Sequence, residues 1–431
     1  MKHFLKQNTL ELSAIIIVFV NIFFNFIPIL PLVFGLIILS LYRTGVIGAF
    51  MLSSYAVTVL LGSTLFLLGI TGISTAVQLL LFFSCLYLWI IRKSIKFYNF
   101  KLCFHYLFFV LLIFVISALM MTGGDYALIK IKDSVYRGIL TLFAFGFFFS
   151  NLEKCNTTRI GLYLILYSYL MLLIAPLLNG GSGPVSILDF GYLRLQNTLV
   201  LNDVELVVSH QHVGLFATLG CAFVLFDNKS SKNSNSLRLF CTLLAIFASL
   251  YSGARQSIVI SILLLLLWSL FEGKLRFSGF VYAILGTLIA ILIIDSVFSE
   301  GGMLYSVRES GYLEASNRSD VMHKALDDFV HHPVFGVGFG HFEFYGRYGK
   351  YPHNLFVEIL CELGAIGLIT ILVIVYRPLK YMILNEKTCI FILIVYFLRS
   401  MTSGGIDTNI MLFSYIFSTL SLKKNQIFFG N

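Results

Sequence analysis

Charge is scarce in this chain: Asp, Glu, Lys and Arg make up only 12% of its 431 residues. Soluble domains carry about a quarter, so an ordinary water-soluble fold is excluded. Proline is scarce too, with seven residues, which leaves room for long unbroken helices. Regular polar and apolar alternation is missing from the apolar runs, and that excludes a membrane β-barrel. Cysteine is sparse and badly placed for a disulfide framework or a thiolate metal site. Cys85, Cys103, Cys155, Cys221, Cys241, Cys361 and Cys389 fall in apolar runs or short basic connections. No internal repeat is present, and no Asp-x-Asp pair stands in a long loop to hold a metal-bound nucleotide sugar.

What is present is apolar surface. Hydrophobic residues make up 58% of the chain and the mean hydropathy is +0.91. Apolar runs of about 17 to 24 residues recur from end to end, the length a ~30 Å hydrocarbon core demands of a helix. The expected fold is an all-α polytopic membrane protein of about 12–14 transmembrane helices. Candidate spans are 11–27, 29–42, 46–69, 71–91, 103–121, 134–151, 159–178, 208–226, 237–252, 255–271, 275–297, 354–376, 388–402 and 406–422. The first two surround Pro28 and Pro31 and read either as a short hairpin or as one broken helix. The whole chain, 1–431, reads as a single integral membrane domain with two long loops near 179–207 and 298–353.

Charge bias sets the orientation. Most of the 30 basic residues lie in short loops on one side, including Arg43, Arg92, Lys93, Lys154, Arg159, Lys232, Lys274, Arg377 and Lys424. That side is expected to be cytoplasmic and to hold both termini. Lys2 and Lys6 ahead of an apolar run read as an uncleaved first span. The formal net charge of +9 follows from this bias, so nucleic acid is not an expected partner.

The long loops therefore face outward, and candidate chemistry collects there. In "ASNRSDVMHKALDDFVHHPVFGVGFG", Ser316 and Asn317 are candidate caps, with Arg318 in the first turn. Val321, Met322, Ala325, Leu326 and Phe329 follow at helical spacing until Pro333. This predicts an amphipathic helix on or near the outer membrane face. The glycines of "GVGFG" read as a plain return loop or as a weak phosphate cradle.

The next span opens on "YPHNLFVEILCELG". Pro352 suits a first helical turn, His353 falls at the membrane surface, and Asn354, Glu358 and Glu362 repeat at a spacing of four along one helix face. Carboxylates inside a span face protein or a wet cavity. They either lock packing with polar neighbours or support a site.

Arg255 in "SLYSGARQSIV" is expected at a helix N-terminus, where amides and guanidinium together suit phosphate; the alternative is contact with lipid headgroups. Arg194 and Arg347 are further outward cations, and His210 and His212 have a spacing unsuited to one helical face, so no metal site is expected. An imidazole near neutral pKa beside arginines suits proton abstraction from a hydroxyl attacking a lipid-linked pyrophosphate.

The segments "SGARQS", "NRSDVMHKALDDFVHHPVFGVGFGHF" and "YPHNLFVEILCELGAIGL" resemble the O-antigen polymerase and O-antigen ligase superfamily of bacterial envelope glycan assembly, over about residues 250–376. "SNRSD" departs from the pattern in having Asn317 where glycine commonly precedes the arginine. The resemblance implies a GT-C-like helical fold and a metal-independent glycosyltransferase with no cofactor. It implies undecaprenyl-pyrophosphate-linked oligosaccharides as donor and acceptor, a site on the periplasmic face of the inner membrane, and a chain-length regulator as a candidate partner. It further implies that His353 is the catalytic base or acceptor-orienting residue and that Arg255 and Arg318 hold the pyrophosphate; Arg194 reads from its loop as a weaker third cation for that anion. Asn354, Glu358 and Arg347 support the site. The glutamates after His-Asn look more like the polymerases than the ligases. A flippase is the rival from another class, although paired halves are not seen.

The topology makes a direct prediction: a reporter active only outside the cytoplasm works when fused after residue 325 and fails when fused after residue 232. Reversed activities would invert the orientation.

Overall fold

The structure, a computed structural model, describes residues 2–24, 27–54, 58–67, 83, 87, 96–120, 124–178, 210–226, 235–271, 305–344, 351–386, 389–402 and 406–422. Most of these residues are helical, and the protein is an all-α polytopic membrane protein. Its helices are α1 (Lys2–Phe24), α2 (Ile29–Leu52), α3 (Thr58–Leu67), α4 (Phe100–Met120), α5 (Gly124–Ser150), α6 (Thr157–Leu178) and α7 (His210–Phe226), followed by α8 (Asn235–Ser252), α9 (Arg255–Phe271), α10 (Tyr305–His331), α11 (His341–Phe344), α12 (Leu355–Asn385), α13 (Cys389–Ser400) and α14 (Ile406–Ser418). Four stretches among the described residues are long and apolar enough to cross a bilayer: Ile29–Leu52, Phe100–Leu119, Thr157–Leu177 and Leu355–Asn385. The candidate span 275–297 and the loop 179–207 lie outside the described residues, as does nearly all of 71–91.

The chain divides into two compact units, Met1–Leu86 with Cys155–Tyr312, and Tyr87–Lys154 with Leu313–Asn431. In the first, α1 and α2 are separate helices joined at Pro28, and the Asn21 side chain accepts from the Ile27 amide at 2.8 Å. Glu11, fully buried, receives Arg43 and Arg159 at 3.0 Å each. α6 and α7 cross closely at two glycines: a Cβ on Gly161 would come within 2.6 Å of the Gly220 carbonyl oxygen, the small-residue contact membrane helices use to approach.

In the second unit, one end is tied by Asn99 Nδ2 donating to the Leu420 carbonyl at 2.8 Å and by Tyr381 Oη donating to the Leu422 carbonyl at 2.9 Å. Toward the other end, α12 is broken at Gly364, where φ is 67° and ψ is −173°. A broken helix leaves carbonyls and amides without their i, i+4 partners. Here the extended stretch after α10 supplies them. Val337 N donates to the Cys361 carbonyl at 2.8 Å and Gly338 N to that of Glu362 at 3.0 Å; in return Ala365 N donates to the Pro333 carbonyl at 2.9 Å and Ile366 N to that of Val334 at 3.2 Å. Residues after the break run for about 21 residues, ~31 Å, enough to cross a bilayer alone.

Two expectations are corrected. α10 begins at Tyr305, so Ser316 and Asn317 are not caps and Arg318 lies mid-helix; the preceding "SVRESGYLEA" contains good helix formers and no proline. On α10, Val321 and Ala325 pack with Val337, Phe342 and Cys361. α5 starts at Gly124, ten positions before the expected span edge, which brings Lys130 onto a helix.

The glycines at the break are fixed by geometry. Gly336 and Gly364 have φ of +69° and +67°, and a Cβ on either would meet backbone at 2.5 Å or closer. Gly336→Ala and Gly364→Ala are each expected to cost at least about 2 kcal/mol and to lower the unfolding temperature in detergent. Gly35→Ala, with open space around its Cβ, leaves that temperature unchanged or slightly raised.

Candidate active site

The helix that carries the expected base starts at Leu355, not at Pro352. Asn354 is its N-cap, with φ −144° and ψ 116°; its Oδ1 accepts from the amides of Phe356 at 3.0 Å and Val357 at 3.2 Å. Asn354 outcompetes proline as the starting residue because its side chain satisfies two amides of the first turn. Asn354 is thus the cap of the helix and not the top member of a polar stripe within it.

Immediately before the cap, His353 has φ 56°. A non-glycine residue there is sparsely populated and held by its surroundings. Those surroundings are the N-cap on one side and Tyr351 on the other, whose ring lies 4.3 Å from the imidazole. His353 is half-buried, and its Nδ1 is shielded from solvent with no hydrogen-bond partner among the described residues. Burial, then the positive charge of Arg318, lowers its pKa to about 4. The imidazole is therefore neutral at physiological pH. Arg318, half-buried on α10, is near enough for its charge to act on His353.

Beneath this turn, α12 is clamped by a buried ion cluster. Lys130 Nζ donates to Glu358 Oε1 at 2.8 Å and to Glu362 Oε1 at 2.9 Å. Both glutamates are fully buried and Lys130 is 3% exposed. Glu358 Oε1 also accepts from Ile406 N at 2.9 Å, which puts a carboxylate at the positive N-terminus of α14. The ammonium lies 5.2 Å from the centre of the Phe339 ring, which stacks on Phe114 at 4.5 Å. Glu358 and Glu362 thus face inward as their spacing implies, and they bind α12 to α5 and α14.

The glycine loop is engaged in the same assembly. The amides of Gly336, Val337, Gly338 and Phe339 donate to the carbonyls of His332, Cys361 and Glu362 and to Ser117 Oγ. None of the four is left for a phosphate, so the plain-loop reading of "GVGFG" holds.

Arg255 is the first residue of α9, exposed, after a turn in which Gly253 has φ 75°. It belongs to the first unit, whereas His353, Arg318 and the Lys130 cluster belong to the second. Arg194 and Arg347 lie outside the described residues. Lys130 was missed by sequence reasoning. Two carboxylates on one buried face require a cation nearby, and a lysine in "DYALIKIKDSVYRGIL" four residues before Ser134 was the available signal.

Residues 238–372 match the family model described as O-antigen ligase. No curated protein matches the chain. The family match supports the O-antigen polymerase and ligase superfamily without separating the two activities, and it spans Arg255, Arg318, His353, Glu358 and Glu362. Lys130 lies outside it.

The ion cluster generates a stability test. Lys130→Met strands two carboxylates in the interior and is expected to cost about 3–5 kcal/mol, read as a fall in unfolding temperature. Adding Glu358→Gln and Glu362→Gln to the same chain removes both charges and recovers most of the loss. Equal stability of the single and triple variants would refute the clamp.

Proposed function

We propose that this protein is a metal-independent glycosyltransferase that polymerises undecaprenyl-pyrophosphate-linked O-antigen or related repeat units at the periplasmic face of the inner membrane. The observation that carries the reading is the neutral His353 imidazole, its Nδ1 without a hydrogen-bond partner among the described residues, under the charge of Arg318 just ahead of a membrane helix. In this reading His353 accepts the proton of a hydroxyl on the acceptor sugar as that oxygen bonds to the anomeric carbon of the donor glycan. The bond from that carbon to the pyrophosphate oxygen breaks, and undecaprenyl pyrophosphate departs with the electron pair. Arg318 and Arg255 offset the charge that grows on it, each as a bidentate donor. Arg194 and Arg347 are further cations for the same anion.

A base with a pKa near 4 is a weak one, and the substrate itself corrects this. A pyrophosphate bound next to the imidazole favours its cationic form and raises its pKa toward the range where general bases work best. The base is thus tuned by the anion whose departure it assists.

The matching family's description, O-antigen ligase, favours a second reading in which the finished chain passes to a lipid A core. Deleting the gene separates the two. Single repeat units on the lipid A core support the polymerase, and long glycan stranded on the carrier lipid supports the ligase. Repeat units trapped on the cytoplasmic side would indicate a flippase and overturn both.

For the purified protein, His353→Ala is expected to lower transfer by about 10²–10⁴-fold at unchanged membrane abundance. In the wild type, kcat/KM reports the free enzyme: it holds as pH falls through 6.5 and declines only toward about 4, while kcat declines at higher pH. A kcat/KM inflection at the ordinary histidine value would refute the assignment of His353 as base.

A further inference from the structure

The end of α10 carries apolar surface that the protein leaves uncovered. Val321 and Ala325 are buried in the packing with Val337, Phe342 and Cys361, but at the tip Val330, Val334 and Phe335 are 69%, 49% and 55% exposed. Large apolar side chains gathered on one surface mark a contact with something outside the chain.

Backbone register points to what they face. The Pro333 carbonyl accepts from Ala365 N at 2.9 Å and the Val334 carbonyl from Ile366 N at 3.2 Å, so the tip lies level with the first residues of α12 beyond its break. On α12 no residue from 355 to 364 is exposed, whereas past the break Ile366, Ile369, Val373 and Tyr376 are exposed at helical spacing along one face. This apolar stripe belongs to a stretch long and apolar enough to cross a bilayer, and the tip continues it at the level where it starts. From Ala365 to Asn385 the helix is ~31 Å long, about the thickness of the hydrocarbon core. Its first residues, and the tip beside them, therefore mark one edge of that core.

The polar side chains of the tip fit an edge and not a midplane. Asp327 and His331, 72% and 69% exposed and 3.6 Å apart, stand on the last turns of α10 with Val330. Apolar groups with exposed charge beside them suit the boundary between headgroups and acyl chains.

We propose that the α10 tip, residues 330–335, is a lipid-contact wedge seated at that boundary in the leaflet on the His353 side, with the acyl chains of membrane phospholipid as its partner. The wedge anchors α10 to the membrane plane and leaves the His353 turn on the water side of the boundary. It does not depend on which glycan reaction the site performs.

Full-length protein carrying Phe335→Trp is reconstituted in phosphatidylcholine vesicles, and the emission of Trp89 and Trp268 is subtracted with the wild type. Bromine placed near the top of the acyl chains is expected to quench the added emission about twofold, bromine near the chain ends less, and aqueous iodide hardly at all. His323→Trp, at an exposed position ~12 Å back along α10 from His331, is expected to show the reverse, with quenching by iodide and little by bromine. Val330→Trp takes the place of Phe335→Trp where that variant does not fold. Strong iodide quenching at position 335 puts the tip in water and overturns the wedge. Insensitivity to both quenchers there reveals a protein cover and overturns the lipid partner, and strongest quenching by chain-end bromine overturns the boundary seating. Equal bromine quenching at positions 323 and 335 lays the whole helix on the membrane and overturns the tip as the point of contact.

Discussion

The second unit depends on one ammonium. Lys130 reaches two carboxylates a helical turn apart on α12, and the nearer of those carboxylates also receives the first amide of α14. Three helices distant in sequence therefore meet at one buried point. Hydrophobic packing alone would not fix their register, because helices in hydrocarbon gain little from burying apolar surface against one another. A charged cluster does so because every misalignment by a turn strands an ion in low dielectric. The start of α12, and with it the His353 turn, is held at a defined height relative to α5 and α14.

The break at Gly364 does complementary work. Breaking a membrane helix exposes backbone groups that lipid cannot satisfy. The chain returning from α10 satisfies them with its own amides and carbonyls, so the outer-loop segment is bonded into the membrane helix rather than laid over it. This ties α10, and hence Arg318, to the helix that His353 immediately precedes. The positioning of cation relative to imidazole follows from four backbone hydrogen bonds and two glycines that tolerate the close approach.

Much of this was legible in the sequence, and the parts that were not have physical reasons. Apolar run length gave α4, α6, α7, α8, α9, α13 and α14 to within a few residues, whereas one edge each of α1, α2, α3, α5 and α12 lies well away from its expected place; the spacing of Glu358 and Glu362 correctly implied an inward face. Arg255 stands at a helix start as its turn residues suggested. The start of α5 was misjudged because Lys130, Lys132 and Asp133 lower hydropathy, although a buried counter-charge makes them compatible with a helix. The start of α12 was misjudged because proline at a first turn and asparagine at a cap are both good signals, and only three-dimensional hydrogen bonding ranks them. The glycine loop carried a phosphate-like spacing whose amides are consumed by a broken helix that periodicity alone does not reveal.

The left-handed backbone at His353 has a consequence for how this position varies through evolution. Glycine and asparagine adopt that conformation with little strain, histidine with some, and most other residues with more. Position 353 is thus filtered twice, once by the ring and once by the turn. A drifting sequence finds few neutral neighbours there, and the ones it does find preserve the bend while discarding the imidazole. Inactive descendants of this protein would therefore tend to look intact.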